Sequence, residues 1–181
     1  TTPICTRLVN GSATVTVLPL PTATIVGSTI CSGTVGTVTI TGTAGSTVSY
    51  TIDGVSGSSV VLNSAGVATI TTPVLAVDSQ YCLTSISSAT TPVCTQDLTG
   101  TCATVSVLPL PTASISAPTI CYGTTGTVTI TGTAGAEVDY TINGGLAQQV
   151  TIGSTGTVDL TSAVLTSDAV YCLQSVSTIS G

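Results

Sequence analysis

Three strings recur in this chain at a common offset of 90 residues, and that repeat limits what the chain can fold into more than any other feature. Leu18-Pro19-Leu20-Pro21 returns as Leu108-Pro109-Leu110-Pro111. The stretch TVTITGTAG begins at Thr37 and again at Thr127, and Tyr81-Cys82-Leu83 returns as Tyr171-Cys172-Leu173. A period of this length denotes a tandem of domain-sized units. The ends are out of phase with it. TTPIC at Thr1 to Cys5 matches TTPVC at Thr90 to Cys94, and SATVTVLPLP from Ser12 matches CATVSVLPLP from Cys102. Residues 1–18 are therefore read as the tail strand of a preceding repeat. A whole repeat is expected over 19–108, and a repeat lacking its last strand over 109–181. The pair is circularly permuted. Thr1 is not an initiator Met, so the chain is expected to be processed or cut from something longer.

Within a repeat the pattern has period 2. Val38 and Ile40 alternate with Thr37, Thr39 and Thr41; Val48, Tyr50 and Ile52 alternate with Thr47, Ser49 and Thr51. Half-buried antiparallel strands read this way, and β-branched residues suit them. Candidate strands fall at 21–26, 36–43, 46–53, 58–62, 66–72, 80–87 and 101–107, and no segment has helical periodicity. The predicted fold class is all-β: tandem immunoglobulin-like β-sandwiches of about seven strands each. Tyr81 is expected at the corner position of such a domain, with Leu83 in the core and Cys82 pointing away from it. Leu18, Pro19, Leu20 and Pro21, and likewise Leu108, Pro109, Leu110 and Pro111, are read as short stiff linkers.

Composition excludes several function classes. The chain has no His, no Lys, and Arg7 as its one cation, against seven acids. Imidazole catalysis, His-ligated metal and Schiff-base chemistry are removed. A net charge of -6 argues against nucleic acid and anionic lipid as partners. No apolar run is long enough for membrane insertion as a helix. No cofactor and no catalytic or metal-binding set is expected.

The seven cysteines are Cys5, Cys31, Cys82, Cys94, Cys102, Cys121 and Cys172. By repeat position Cys31 matches Cys121, Cys82 matches Cys172, and Cys94 matches Cys5, while Ser12 stands where the second copy has Cys102. Structural disulfides in an oxidising compartment are expected. Spacing leaves the connectivity open. One solution joins Cys31 to Cys94 and Cys82 to Cys102, with Cys121 bonded to a Cys5-like residue of the following unit and Cys172 unassigned. The rival joins Cys31 to Cys82 and Cys121 to Cys172.

Taken together, PLPTATI-x-G-x-T-I-C-S-G, TVTITGTAG-x-x-V-x-Y-T-I-D/N-G and TTPVC-T-Q-x-x-T-G followed by ATVSV resemble the Ig-like repeats of giant cell-surface proteins of Bacteroidetes. Many of those look like adhesins, and some are associated with gliding motility and type IX secretion. The resemblance implies an extracellular, cell-surface location and a stalk, adhesin or filament role. It supplies no catalytic residue.

The surplus tail and the deficient second repeat match one another. The expectation is that the tail of one unit completes the sandwich of its neighbour, head-to-tail, with Ala13, Val15 and Val17 facing inward. The partners are then copies of the chain or neighbouring repeats. The alternative is a glycan- or surface-binding module of a larger secreted protein. It needs a concave end with clustered aromatics, or a flat Thr row such as Thr37, Thr39 and Thr41. Glu137 and Asp139 share one strand face and are read as solvated. Asn10-Gly11-Ser12 is a formal glycan sequon. Asp53-Gly54 and Asn143-Gly144 are read as hairpin turns, and Tyr122, opposite Ser32 in the repeat, as a candidate interface anchor.

Overall fold

The computed structural model describes residues 2–178, and these contain strands and no helix. The chain divides into two compact units, Thr1–Leu108 and Pro109–Gly181. Unit 1 carries β1 (Ala23–Gly27), β2 (Thr29–Cys31), β3 (Thr34–Gly42), β4 (Thr47–Ile52), β5 (Val55–Val61), β6 (Val67–Leu75), β7 (Ser79–Ser87), β8 (Thr95–Asp97) and β9 (Cys102–Leu108). One sheet has the order β1-β3-β6. The other runs β2-β9-β7-β4-β5, with β8 beside β7. All pairs are antiparallel except β2 with β9. The two sheets close on one core as an all-β sandwich, in the strand order of an immunoglobulin-like fold.

The alternation read in the sequence decides which face is inward. On β3, Val38 and Ile40 are fully buried while Thr37 and Thr41 are exposed. From the opposite sheet Val48, Tyr50, Tyr81, Leu83, Ile86 and Val105 meet them. Tyr50 and Tyr81 lie with ring centroids 6.3 Å apart. The β4–β5 hairpin turns at Asp53 and Gly54, both with positive φ (49° and 80°). The same Asp53 carboxylate accepts the Gln80 N–H at 2.7 Å and the Ser79 hydroxyl at 2.9 Å, tying the turn to the start of β7.

Two short strands, β2 and β8, had no sequence signal of their own. β2 exists by pairing with β9, Thr29 to Ser106 through Cys31 to Leu108. The chain leaves the first sheet at Gly27, where a Cβ would sit 2.2 Å from the Thr104 carbonyl oxygen on β9. Pro21 is a correction to the linker reading. It is fully buried and belongs to the core of unit 1, whereas Pro19 and Leu20 are exposed. No residue of 2–22 lies in a strand.

Unit 2 carries β10 (Ala113–Ser116), β11 (Thr127–Gly132), β12 (Glu137–Ile142), β13 (Gln148–Thr151), β14 (Thr157–Thr161) and β15 (Tyr171–Ser177). Its sheets have the orders β10-β11-β14 and β13-β12-β15. These match β1, β3, β6 and β5, β4, β7 of unit 1 strand for strand. Among the described residues nothing takes the place of β2 or β9.

Candidate docking groove in unit 2

In unit 1, β9 pairs with β7 from Ser79–Val105 to Cys82–Cys102 and inserts Val105, with no exposed surface, between the sheets. Val105 Cγ1 lies only 2.6 Å from where a Cβ on Gly36 would be, so Gly36 is the notch that receives it. In unit 2 the notch is kept as Gly126, but β15 has a free edge there among the described residues.

The consequence is a groove of about 380 Å³. Ile120, Gly126, Leu165, Ala169 and Tyr171 line it, with Tyr122 and Asp168 at its rim. Exposure follows the missing strand. Tyr81, Leu83 and Ile86 are at most 1% exposed, whereas their counterparts Tyr171, Leu173 and Val176 are only half-buried. Asp78 in unit 1 accepts the Val107 N–H at 2.7 Å, bracing the end of β9. Its counterpart Asp168 is exposed beside the groove.

The segment with the sequence of β9 lies elsewhere in the same chain. Ser12 to Leu18 reads SATVTVL against CATVSVL for β9. Val15 and Val17 are 90% and 87% exposed, although Val15 corresponds to the fully buried Val105. Ala13 is exposed as well.

Cys82 and Cys102 form a disulfide across β7 and β9, with Cα atoms 4.0 Å apart. Both side chains point away from the core, because their neighbours Tyr81 and Leu83 point into it. The proposed Cys31–Cys94 bond is not formed, and both are free thiols. The cause is topological. Cys31 sits beside Leu108, near the first residue of β7, while Cys94 precedes β8, which pairs with the last three residues of β7. The nine residues of β7 put about 26 Å between those ends, at about 3.3 Å per residue. The rival pairs also fail. Cys82 is bonded to Cys102, and Cys121 and Cys172 are both free and exposed. Cys5 is a free, exposed thiol too.

The remaining candidates are accounted for locally. Gln149 Nε2 donates to Glu137 Oε2 at 3.4 Å and to Asp139 Oδ1 at 3.3 Å, and the Ser175 hydroxyl donates to Asp139 Oδ2 at 2.6 Å. The two carboxylates therefore belong to a hydrogen-bonded outer face. Asn143 has φ 52° at its turn and accepts the Val170 N–H at 2.8 Å. Among the described residues no three Cys, Asp or Glu converge as a metal site, and no helix is long and apolar enough to cross a membrane. Tyr50, Tyr81 and Tyr140 are buried, Tyr171 is half-buried, and Tyr122 is 83% exposed. Tyr122 and Tyr171 both line the groove of unit 2, with the Tyr140 ring centroid 6.5 Å from that of Tyr171, whereas Tyr50 and Tyr81 are closed inside unit 1.

No protein-family model matches this chain, and neither does any curated protein or solved structure.

Proposed function

We propose that the chain is a non-enzymatic structural repeat of an extracellular filament, stalk or adhesin. Successive copies join head-to-tail when the N-terminal segment of one completes unit 2 of the next. The observation that carries this is a strand place left open among the described residues of unit 2 and a strand of matching pattern left in solvent at 12–18. Among the described residues, unit 2 has an open edge and a groove of mixed polar and apolar lining where β9 sits in unit 1. Residues 12–18 carry the β9 pattern with their valines in solvent. An unpaired edge beside a groove is costly to leave open, and a strand of matching pattern relieves both costs. A head-to-tail contact of this kind propagates as a filament where its rotation does not close into a ring.

Two further points support the setting. A disulfide between neighbouring strands suits an oxidising, extracellular location. The similarity of the repeat to Bacteroidetes surface proteins points the same way. The non-enzymatic reading follows from residue types. With no His and no Lys, an imidazole base and a Schiff-base lysine are both missing, and Asp53 and Asn143 are committed to turns and Glu137 and Asp139 to Gln149.

Sedimentation of the purified chain over a range of concentrations tests this. The expected result is concentration-dependent oligomers that Val15→Asp abolishes while the melting of unit 1 is unchanged. Burying Val15 contributes about 1.5–3 kcal/mol, so even Val15→Ala should weaken assembly roughly tenfold. A wild-type chain that stays monomeric, with 12–18 free or folded onto its own unit 2, overturns the proposal. So does a Val15→Asp chain that assembles like the wild type.

A further inference from the structure

Resting on that head-to-tail reading, we infer that the donated strand lies antiparallel along the start of β15 and the two residues before it in one register, with Ser12 opposite Cys172 and Val15 opposite Ala169. The strand pair it makes is therefore not locked by a disulfide, unlike that of β9 in unit 1. The register follows from unit 1. There Cys82 faces Cys102, Tyr81 faces Ala103, Gln80 faces Thr104 and Ser79 faces Val105. Their counterparts pair Cys172 with Ser12, Tyr171 with Ala13, Val170 with Thr14 and Ala169 with Val15.

Two features of unit 2 suit this register. Val15 falls on the Gly126 notch, as Val105 falls on Gly36. A shift of one residue would turn Val15 outward and bring Thr14 or Thr16 onto Gly126, because side chains alternate faces along a strand. Asp168 stands where Asp78 accepts the Val107 N–H, ready to accept that of Val17. One feature demands adjustment. Gly27 is replaced by Ala117, and a Cβ at that position in unit 1 lies 2.2 Å from the Thr104 carbonyl oxygen. The segment around Ala117 must therefore move aside for the Thr14 carbonyl. It lies outside any strand.

The pairing at position 12 sets the permanence of the join. In unit 1 the outward pair at this place is a disulfide. Between copies it is a hydroxyl facing a thiol, which cannot bond, so the join rests on main-chain hydrogen bonds and the buried valines. Cys172 keeps its thiol after the groove is filled.

Ser12→Cys reads the register directly. A mixture of ¹⁵N-labelled and unlabelled Ser12→Cys chains is held in a buffer of reduced and oxidised glutathione. Oxidised glutathione accepts the two electrons, the two thiols give up their protons as the S–S bond forms, and two glutathione thiols are released. Peptide mapping by mass spectrometry is expected to find disulfides of mixed isotope between the thiol introduced by Ser12→Cys and Cys172. An Ala13→Cys control is expected to give none. In assembled wild-type protein, iodoacetamide is expected to label Cys172 and to leave Cys82 unlabelled. Ser12→Cys chains that sediment as oligomers yet link Cys172 elsewhere, or Ala13→Cys chains that link to it, overturn the register while leaving head-to-tail assembly standing. Wild-type Cys172 found oxidised in the assembly overturns the unlocked join. Links only within one chain, or chains that do not sediment as oligomers at all, overturn the head-to-tail reading itself and this inference with it.

Discussion

Residue by residue, the two units differ most where the same side chain meets different company. Tyr81 has β9 across it and is 1% exposed, whereas its counterpart Tyr171 borders the groove. Burial pushes the Tyr81 phenol above its ordinary value of 10.0; a hydrogen bond with Ser79 opposes that shift, and nearby Tyr50 and Asp53 reinforce it. The folded state thus holds the neutral phenol more firmly than the unfolded chain does. This contribution is full below pH 10.0 and is lost as pH rises through the raised folded value. Melting of unit 1 followed from neutral pH upward should fall beyond that point, and Tyr81→Phe should flatten the fall. An unchanged slope in Tyr81→Phe would assign the loss to other groups. That Leu83 faces the core and Cys82 away from it was legible from the corner position that a sandwich of this kind gives Tyr81. The partner of Cys82 was not, because pairing depends on which strands become neighbours.

Elements show the same dependence on context. Thr29-Ile30-Cys31 is a strand, and the identical Thr119-Ile120-Cys121 is not. The three residues are the same, but two things differ around them: Pro118 replaces Ser28, whose N–H donates to the Thr37 carbonyl at 3.0 Å, and in unit 1 β2 hydrogen-bonds to β9, including the Ser32 N–H to the Leu108 carbonyl at 2.8 Å. A synthetic peptide of residues 11–18 added to the Val15→Asp chain should therefore slow amide exchange at Ile120 and Tyr122 together with the β15 edge. Ala117→Gly should tighten that peptide several-fold by removing the methyl in the path of the strand. Unaltered exchange at Ile120 and Tyr122 would mean that the peptide pairs with β15 alone. The seven longer strands of unit 1 could be placed from sequence to within a few residues. β2 and β8 could not, since three residues carry too little alternation to register.

Across the molecule, the two cores are unequal. That of unit 1 gathers residues from both sheets, and a disulfide fastens its last strand. The fully closed part of the unit 2 core comes down to a few residues, among them Ile130, Ala136, Val138 and Ile152. Calorimetry should resolve two transitions, with unit 2 melting first. A reductant should lower only the second, because opening a 20-residue disulfide loop removes about 3 kcal/mol. The peptide of residues 11–18 should raise only the first, by mass action on the folded groove. A single transition insensitive to reductant would show that the two units do not fold independently.

The repeat and its phase, the period-2 faces and hence an all-β sandwich, and the chemistry that no His, no Lys and one cation forbid are all written in the chain itself. These are local or compositional properties, carried by each residue whatever its neighbours. Packing in three dimensions settled the rest: which cysteines meet, that Pro21 is core rather than linker, that Asp78 braces β9, and that leaving β9's place open on unit 2 leaves a groove of about 380 Å³. Those outcomes depend on which strand lies beside which, over separations that no local pattern encodes.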